Sequence, residues 1–333
     1  MLCGMDINLP DIPGVAARPF GRDGDYQIVS DLVVAEARAD GQEDAVSTAE
    51  EVEVAFRNTE NMDLETDFRF IEIDGEPVGY VTTRWWDEVD GPRVYRHMCK
   101  VLPQFRNQGI GTALLEWAQR RLTERAEHHD TDRARVYRTD VDEQALGGAA
   151  LLEADGYQPI QHGALLIRPN LNDIPDIQLP EGLEIRPVSA DELRKIYDAD
   201  VEAFRDHWGF SEPTEKEWTA FLEFPYRDES LWKIAWAGDR VVGQVRSFIN
   251  EVDNRENSRK RGWTEFISTA REWRGKGVAT VLICASLREL SKRGMEQAAL
   301  GVHVENPHGA YRLYQSLGFE VVSFGTTYEK PLG

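Results

Sequence analysis

The sequence predicts a mixed α/β chain, with an α+β mixed sheet in each of two tandem copies of one domain. Three observations predict it. First, the text is written twice: "RNQGIGTALLEWAQRRL" from Arg106 returns as "RGKGVATVLICASLREL" from Arg274, and "LLEADGYQPI" with Gly156-Tyr157 returns as "YQSLGFEVVS" with Gly318-Phe319. An internal repeat in constant order marks a duplicated domain. Second, a hairpin pattern precedes each glycine stretch, "FRFIEIDGEPVGYVTTRWW" in one copy and "LWKIAWAGDRVVGQVRSFI" in the other. Third, short strands alternate with helices, and 333 residues suit two domains of roughly 100–200 residues.

The first 20 residues read as an N-terminal arm, 21–174 as the first domain and 175–333 as the second. The join is "IRPNLNDIPDIQLPEGLEIRP", where Pro169, Pro175 and Pro180 interrupt helix and ladder. The second domain opens with strand "LEIRPV". A helix follows from Ser189, with Glu192 three residues on as a capping box. After a variable loop come the hairpin, strand "WTEFIST", the glycine stretch and a helix ending near "SKRG". Strand "QAALGVHV", helix "PHGAYRLYQSLG" and strands "EVVSFG" and "TTYEKPL" complete it.

Composition excludes several classes. The net charge is −21 with no basic stripe, which argues against nucleic acid. The acid is dispersed, and 8 Lys stand against 30 Arg, a balance that resembles proteins of salt-loving, halophilic hosts. Three cysteines, Cys3, Cys99 and Cys284, make no disulfide framework and predict a cytoplasmic chain. The start "MLCGMDINLPDIPG" lacks the features of a signal peptide, and the longest apolar run, "VATVLICASL", is too short for a bilayer. His97 with Cys99 offers two ligands, too few for a metal site.

The stretch "REWRGKGVAT" ends a strand and opens a helix. A helix N-terminus presents unpaired N–H groups and a positive dipole end. Gly275 and Gly277 let a ligand approach the backbone, and Arg274 and Lys276 add charge. These make an anion cradle suited to a diphosphate; the alternative is a tight turn with no ligand. Neither G-x-x-x-x-G-K-[ST] nor G-x-G-x-x-G is present.

What is present is R-x-x-G-x-A at Arg274–Ala279 and R-x-x-G-x-G at Arg106–Gly111. "TAREWRGKGVATVL" and "VLPQFRNQGIGTALL" resemble the acyl-CoA loop of the GNAT N-acetyltransferase superfamily, in a tandem arrangement like that of mycothiol synthase. "VENPHGAYRLYQSLGFEVV" resembles the closing motif of that family. The resemblance implies two tandem GNAT (acyl-CoA N-acyltransferase) domains and acetyl-CoA as co-substrate, with no metal. It implies cofactor contacts from Arg274, Gly275, Lys276, Gly277, Val278, Ala279 and Asn306, with Arg106, Gly109 and Gly111 their counterparts in the first copy. It implies backbone donors near Ile267, Ser268 and Thr269, and Tyr314 as the acid that protonates the departing thiolate. Without that role Tyr314 is an aromatic packing residue on an amphipathic helix. The first copy has Leu152 where the second has Tyr314, and Gln144 where it has Asn306.

An amine attacks only when neutral, so a base must take its proton. Glu265 on "WTEFIST" is the candidate; on a straight strand it shares a face with Thr269, and a salt-bridged strand Glu is the alternative. His207 and Trp208 in "DHWG" are candidates for the acceptor pocket. The alternative for His207, and the reading the sequence favours, is a capped-turn histidine packed on Trp208. Two functions follow from these residues. One is an acetyl-CoA-dependent N-acetyltransferase acting on the primary amine of a small molecule, with chemistry in the second domain. The other is a non-catalytic acyl-CoA-binding or sensing protein. Neither involves nucleic acid or a membrane.

Overall fold

The first hairpin forms around a left-handed turn: Asp74 and Gly75 take φ of 52° and 85°, the conformation that a two-residue hairpin loop requires. The computed structural model describes residues 6–42, 45–305 and 309–333. In chain order the first elements are β1 (Val15–Arg18), α1 (Asp25–Ala39), α2 (Ala49–Arg57), β2 (Phe68–Ile73), β3 (Glu76–Asp87), β4 (Arg93–Val101), α3 (Ile110–Glu127), β5 (Arg135–Asp142), α4 (Leu146–Ala154) and β6 (Gln158–Arg168). There follow β7 (Glu184–Ile185), α5 (Leu193–Phe204), α6 (Glu215–Glu223), β8 (Lys233–Ala237), β9 (Arg240–Phe248), α7 (Glu251–Glu256), β10 (Arg261–Thr269), α8 (Val278–Lys292), β11 (Gln297–His303), α9 (Ala310–Ser316) and β12 (Glu320–Pro331).

These elements form two units, each with a mixed sheet. The first takes the chain up to Gln161, plus Thr214–Pro225 and Gly325–Gly333; the second takes His162–Pro213 and Tyr226–Phe324. In the first unit the order is β1-β2-β3-β4-β5-β12, with β4 and β5 parallel. In the second it is β6-β11-β10-β9-β8-β7, with β10 and β11 parallel. α3 packs on β3 and β4, and α8 packs on β8, β9 and β10. Gly243 permits the second contact: a Cβ there would lie 2.7 Å from Val278 Cγ1.

The units differ from consecutive halves divided near residue 175. Each parallel strand needs an antiparallel neighbour on its other edge, and each receives it from the other half of the sequence. β5 pairs with Gly325–Pro331, and β11 pairs with Gly163–Arg168. Residues 320–331 are therefore one strand, not the two expected. Tyr328 and Leu332 join Tyr95, Leu115 and Leu122 in the first core. Ala164, Leu166 and Leu171 join Leu282, Leu287 and Leu300 in the second.

Two other expectations change. The described part of the arm belongs to the first unit: β1 lies antiparallel on β2, and Ile7 packs with Ile110 and Trp117. The "variable loop" contains α6, capped by Thr214 and Glu217, which docks on α2 through Arg57–Glu223 (2.8 Å) and Asn58–Glu223 (3.0 Å). The capping box at Ser189 forms as expected and opens a 3-10 turn ahead of α5. Among the described residues no helix is long and apolar enough to cross a membrane, and no group of three or more His, Cys, Asp or Glu could hold a metal.

Cutting the chain at 174/175 strips each core of a ladder and of buried side chains such as Leu166, Leu171 and Leu332. A buried Leu contributes about 2 kcal/mol, against a typical total of about 5–15 kcal/mol. Residues 1–174 and 175–333 expressed separately are therefore expected to be insoluble or molten, and co-expressed to rescue each other; cooperative unfolding of either half alone, by circular dichroism, would contradict this.

Candidate active site

β10 and β11 run in parallel only from Arg261 opposite Gln297 to Trp263 opposite Ala299. Beyond that point β10 stays with β9 and β11 with β6, so the two strands part. Glu265 is the second residue past the parting. Its carboxylate Oε1 accepts the Gly301 N–H at 2.7 Å, across the opening.

A bulge follows at once. Glu265 pairs with Arg246, but the next paired residue, Ser268, pairs with Gln244. Three steps on β10 match two on β9, and Phe266 takes φ 50°. The extra residue puts Glu265 on the face of Ser268. The straight-strand expectation, which put it with Thr269, fails for that reason. Asp200 of α5 bonds Arg246 at 2.5 Å beneath the bulge, and the Arg246 guanidinium lies 4.4 Å from the Phe266 ring centre. Burial raises the Asp200 carboxyl, and Arg246 and Ser268 pull it back. Nothing in the repeat pointed to this pair, because the first copy has Thr82 at the corresponding hairpin position.

The Glu265 carboxyl is pushed up to about 7. Desolvation causes the rise, and the Gly301 and Phe266 N–H groups oppose it. The residue as a whole is half-buried. Tyr314 is buried on α9, edge-on to Phe319. Its phenol is raised above the ordinary value by burial and then by the charge of Glu265. The structure thus brings Tyr314 within the field of the Glu265 charge, which with burial favours the protonated phenol.

At the loop, Gly275 and Gly277 have φ of 71° and 81°, and a Cβ on either would meet open space. The first intrahelical bond of α8 runs from Val281 N to Gly277 O (3.1 Å), so the N–H groups of Val278 and Ala279 project from the helix end. Lys276 lies over Trp273 (4.9 Å). Arg274 differs from the sequence reading: its guanidinium donates to Asp206 at 2.6 and 2.9 Å and to the Ala203 carbonyl at 2.7 Å. Its charge is balanced by a carboxylate. Ile267, Ser268 and Thr269 lie on the stretch of β10 that has left β11. Asn306 lies outside the described residues.

His207 and Trp208 follow α5. The His207 ring sits 5.3 Å from Phe204 and 5.0 Å from His303, and Trp208 sits 5.7 Å from His303. His303 was missed in the sequence. It ends β11 two residues after Gly301, on the same face of the strand, and alternation along "QAALGVHV" was the signal available.

The first unit keeps the backbone and changes the chemistry. β4 and β5 part after Arg96, and the next residue is His97. Asn107 and Gly109 reproduce the left-handed positions with φ of 59° and 87°. The helix ends match too: Tyr157 N bonds Leu152 O (3.0 Å) as Phe319 N bonds Tyr314 O (3.1 Å), so Leu152 does hold the tyrosine's place. His97 bonds the Tyr157 hydroxyl through Nε2 (2.8 Å), and burial lowers its pKa to about 4. A cavity of about 400 Å³ is lined by Arg106, Gly109, Gly111, His97, Cys99 and Leu152, among others. Arg106, like Arg274, is tied to a carboxylate, Asp40.

The family model described as "Acetyltransferase (GNAT) family" matches residues 34–146 and 193–319. The mycothiol acetyltransferase of Catenulispora acidiphila is 26% identical over 334 aligned residues, covering 95% of this chain and 98% of the relative. That of Kytococcus sedentarius is 27% identical over 235, covering 69% and 73%. A GCN5-related N-acetyltransferase from Sphaerobacter thermophilus superposes with a TM-score of 0.74 at 25% identity, covering 97% of both chains. A tandem GNAT protein from the clavulanic acid biosynthesis pathway superposes at 0.68 and 17% identity, covering 96% and 99%.

Because the Glu265 pKa is raised on folding, the native state holds its proton more tightly, and its ionisation lowers stability as pH climbs from about 4.5 to about 7. Glu265→Gln is expected to stabilise the fold above pH 7, by on the order of 2 kcal/mol, and to lose that advantage below pH 4.5. Thermal unfolding of both proteins at pH 4.5 and 8 measures this.

Proposed function

The chain belongs to the acetyltransferase (GNAT) family, and from that premise we propose that its second unit moves an acetyl group from acetyl-CoA to the primary amine of a small molecule. One observation carries the reading: the Glu265 carboxyl stands in the parting of β10 and β11, bonded to the Gly301 N–H across it and poised near neutrality, and its charge reaches the buried Tyr314 phenol. A carboxyl raised to near neutrality suits a general base, and a protonated phenol suits a general acid.

The loop fits a diphosphate. Gly275 and Gly277 leave room for it, the N–H groups of Val278 and Ala279 aim at it, and Lys276 adds charge. Bound acetyl-CoA would supply the activated acetyl group. Backbone groups of Ile267, Ser268 and Thr269, on the stretch of β10 that has left β11, hold the thioester arm and its carbonyl. Glu265 takes the proton from the attacking amine, and Tyr314 gives one to the departing sulfur. His207, Trp208 and His303 form the wall against which the acceptor rests. Relatives 26–27% identical to this chain do not carry their acceptor over to it, but they favour a small molecule.

The second reading, binding without turnover, is favoured for the first unit. Its cavity keeps Arg106, Gly109 and Gly111, but Leu152 offers no proton, and a histidine lowered to about 4 is a weak base at neutral pH. We assign it acyl-CoA binding alone.

The test is release of CoA thiol from acetyl-CoA with phenethylamine, glucosamine, spermidine and amino-acid amides. Tyr314→Phe is expected to lower kcat about 100-fold with little change in KM for acetyl-CoA. Wild-type kcat/KM should rise through pH 7 as Glu265 ionises, and Glu265→Gln should lose that limb. Undiminished turnover in Tyr314→Phe would remove the acid assignment; tight acetyl-CoA binding with no turnover on any amine would favour a sensor.

A further inference from the structure

Both glycine loops carry an arginine that is clasped in the same way. In the second unit Arg274 donates twice to Asp206 (2.6 and 2.9 Å), once to the Ala203 carbonyl (2.7 Å) and, through Nε, to the Thr269 carbonyl (3.3 Å). In the first unit Arg106 donates twice to Asp40 (2.5 and 2.8 Å) and, through Nε, to the Val101 carbonyl (3.2 Å). Val101 and Thr269 each end the strand before the loop, and Asp40 and Asp206 each lie just past the first long helix of their repeat. One planar guanidinium therefore joins strand end, loop and helix end. A bidentate carboxylate fixes orientation as well as distance.

This geometry favours a structural use of the arginine. A guanidinium spent on a carboxylate and two carbonyls has little left for a phosphate. What it controls is the position of Thr269 and of the residues up to Gly277, and hence the direction of the N–H groups that open α8. The pair is partly exposed, with side chains 24% and 34% accessible. An exposed pair adds about 1 kcal/mol or less to global stability, so its loss should loosen the loop rather than unfold the chain.

We propose that Asp206 is a positioning residue for acetyl-CoA: by clasping Arg274 it holds the end of β10 and the start of α8 in the shape that accepts the diphosphate. Nothing in the family match assigns it a role, and it touches no reacting atom. The inference rests on the acetyl-CoA reading of the loop given above.

Asp206→Ala in the full chain is the test, with Asp206→Glu as the conservative variant. As control, Asp198→Ala removes an exposed ion pair with Arg194 on the same helix. Asp206→Ala is expected to raise KM for acetyl-CoA five- to thirtyfold, to leave kcat within threefold and to lower Tm by no more than about 3 °C. Asp206→Glu should recover part of the KM, and Asp198→Ala should change neither constant. Arg274→Gln should match Asp206→Ala, and the double variant should be no worse than either alone. Unchanged KM in Asp206→Ala overturns the proposal, as does a fall in kcat equal to the rise in KM, or a Tm loss large enough to explain both. If wild-type protein neither binds nor turns over acetyl-CoA, the functional reading fails and the proposal with it. A wild type that works while Asp206→Ala works equally well removes the clasp alone.

Discussion

A parallel ladder that stops after three residue pairs is the constraint on which the second unit is arranged. Once β10 and β11 part, the facing edges of both strands hold backbone groups with no partner across the gap. Such groups are costly if sealed away from water or ligand, so the gap must stay open or be filled. Glu265 takes up one donor, the Gly301 N–H. The bulge at Phe266 gives the parting its direction. A phenylalanine in the left-handed region costs about 1–3 kcal/mol and persists because Asp200 and Arg246 brace it from below. The strain lies beside Glu265, whose place in the parting it helps to set.

The first unit has the same parting and the same left-handed loop, yet a different outcome. Burial disfavours charge in both. Applied to a carboxyl, it lifts Glu265 into the range where a base works near neutrality. Applied to an imidazole, it takes His97 down and out of that range. Cys99 beside it is pushed up to about 12, also by burial, which leaves it an inert thiol. One environment thus brings the titration of one residue toward neutrality and takes that of the other away from it. The backbone requirements of the turn survived duplication: Asn107 and Gly275 both tolerate positive φ. The side chains had no such requirement: His97 and Leu152 stand where the second copy has Glu265 and Tyr314.

The parts legible in the sequence are those set by neighbours along the chain. The hairpins, the glycine loops, the capping box at Ser189 and the replacement of Tyr314 by Leu152 were all readable, because local pattern or repeat register fixes them. What was not readable depends on partners distant in sequence. Which strand lies beside β5 is decided by packing of Tyr328 and Leu332, not by the text around residue 325. The bulge reverses the face assigned to Glu265 because one residue of slip inverts the alternation. The partner of Arg274, Asp206, comes from a different element and could not be read from the loop. His303 was silent because a histidine at a strand end has no signature until the rings of His207 and Trp208 meet it.

The balance of charge gives these details a common sense. The chain carries a net charge of −21, and CoA is a polyanion, so long-range attraction cannot bring them together. A cradle built from lysines and arginines would work against that field and weaken further with salt, since the Debye length shrinks to about 3 Å at 1 M. Backbone N–H groups at a helix end act at contact distance, where screening has little to remove. The clasp on Arg274 follows the same logic. On the proposed reading it withdraws a charge from the loop and uses it to hold the helix-end dipoles. Recognition of a diphosphate would then depend more on shape at the loop than on the potential around it, which suits a chain of net charge −21.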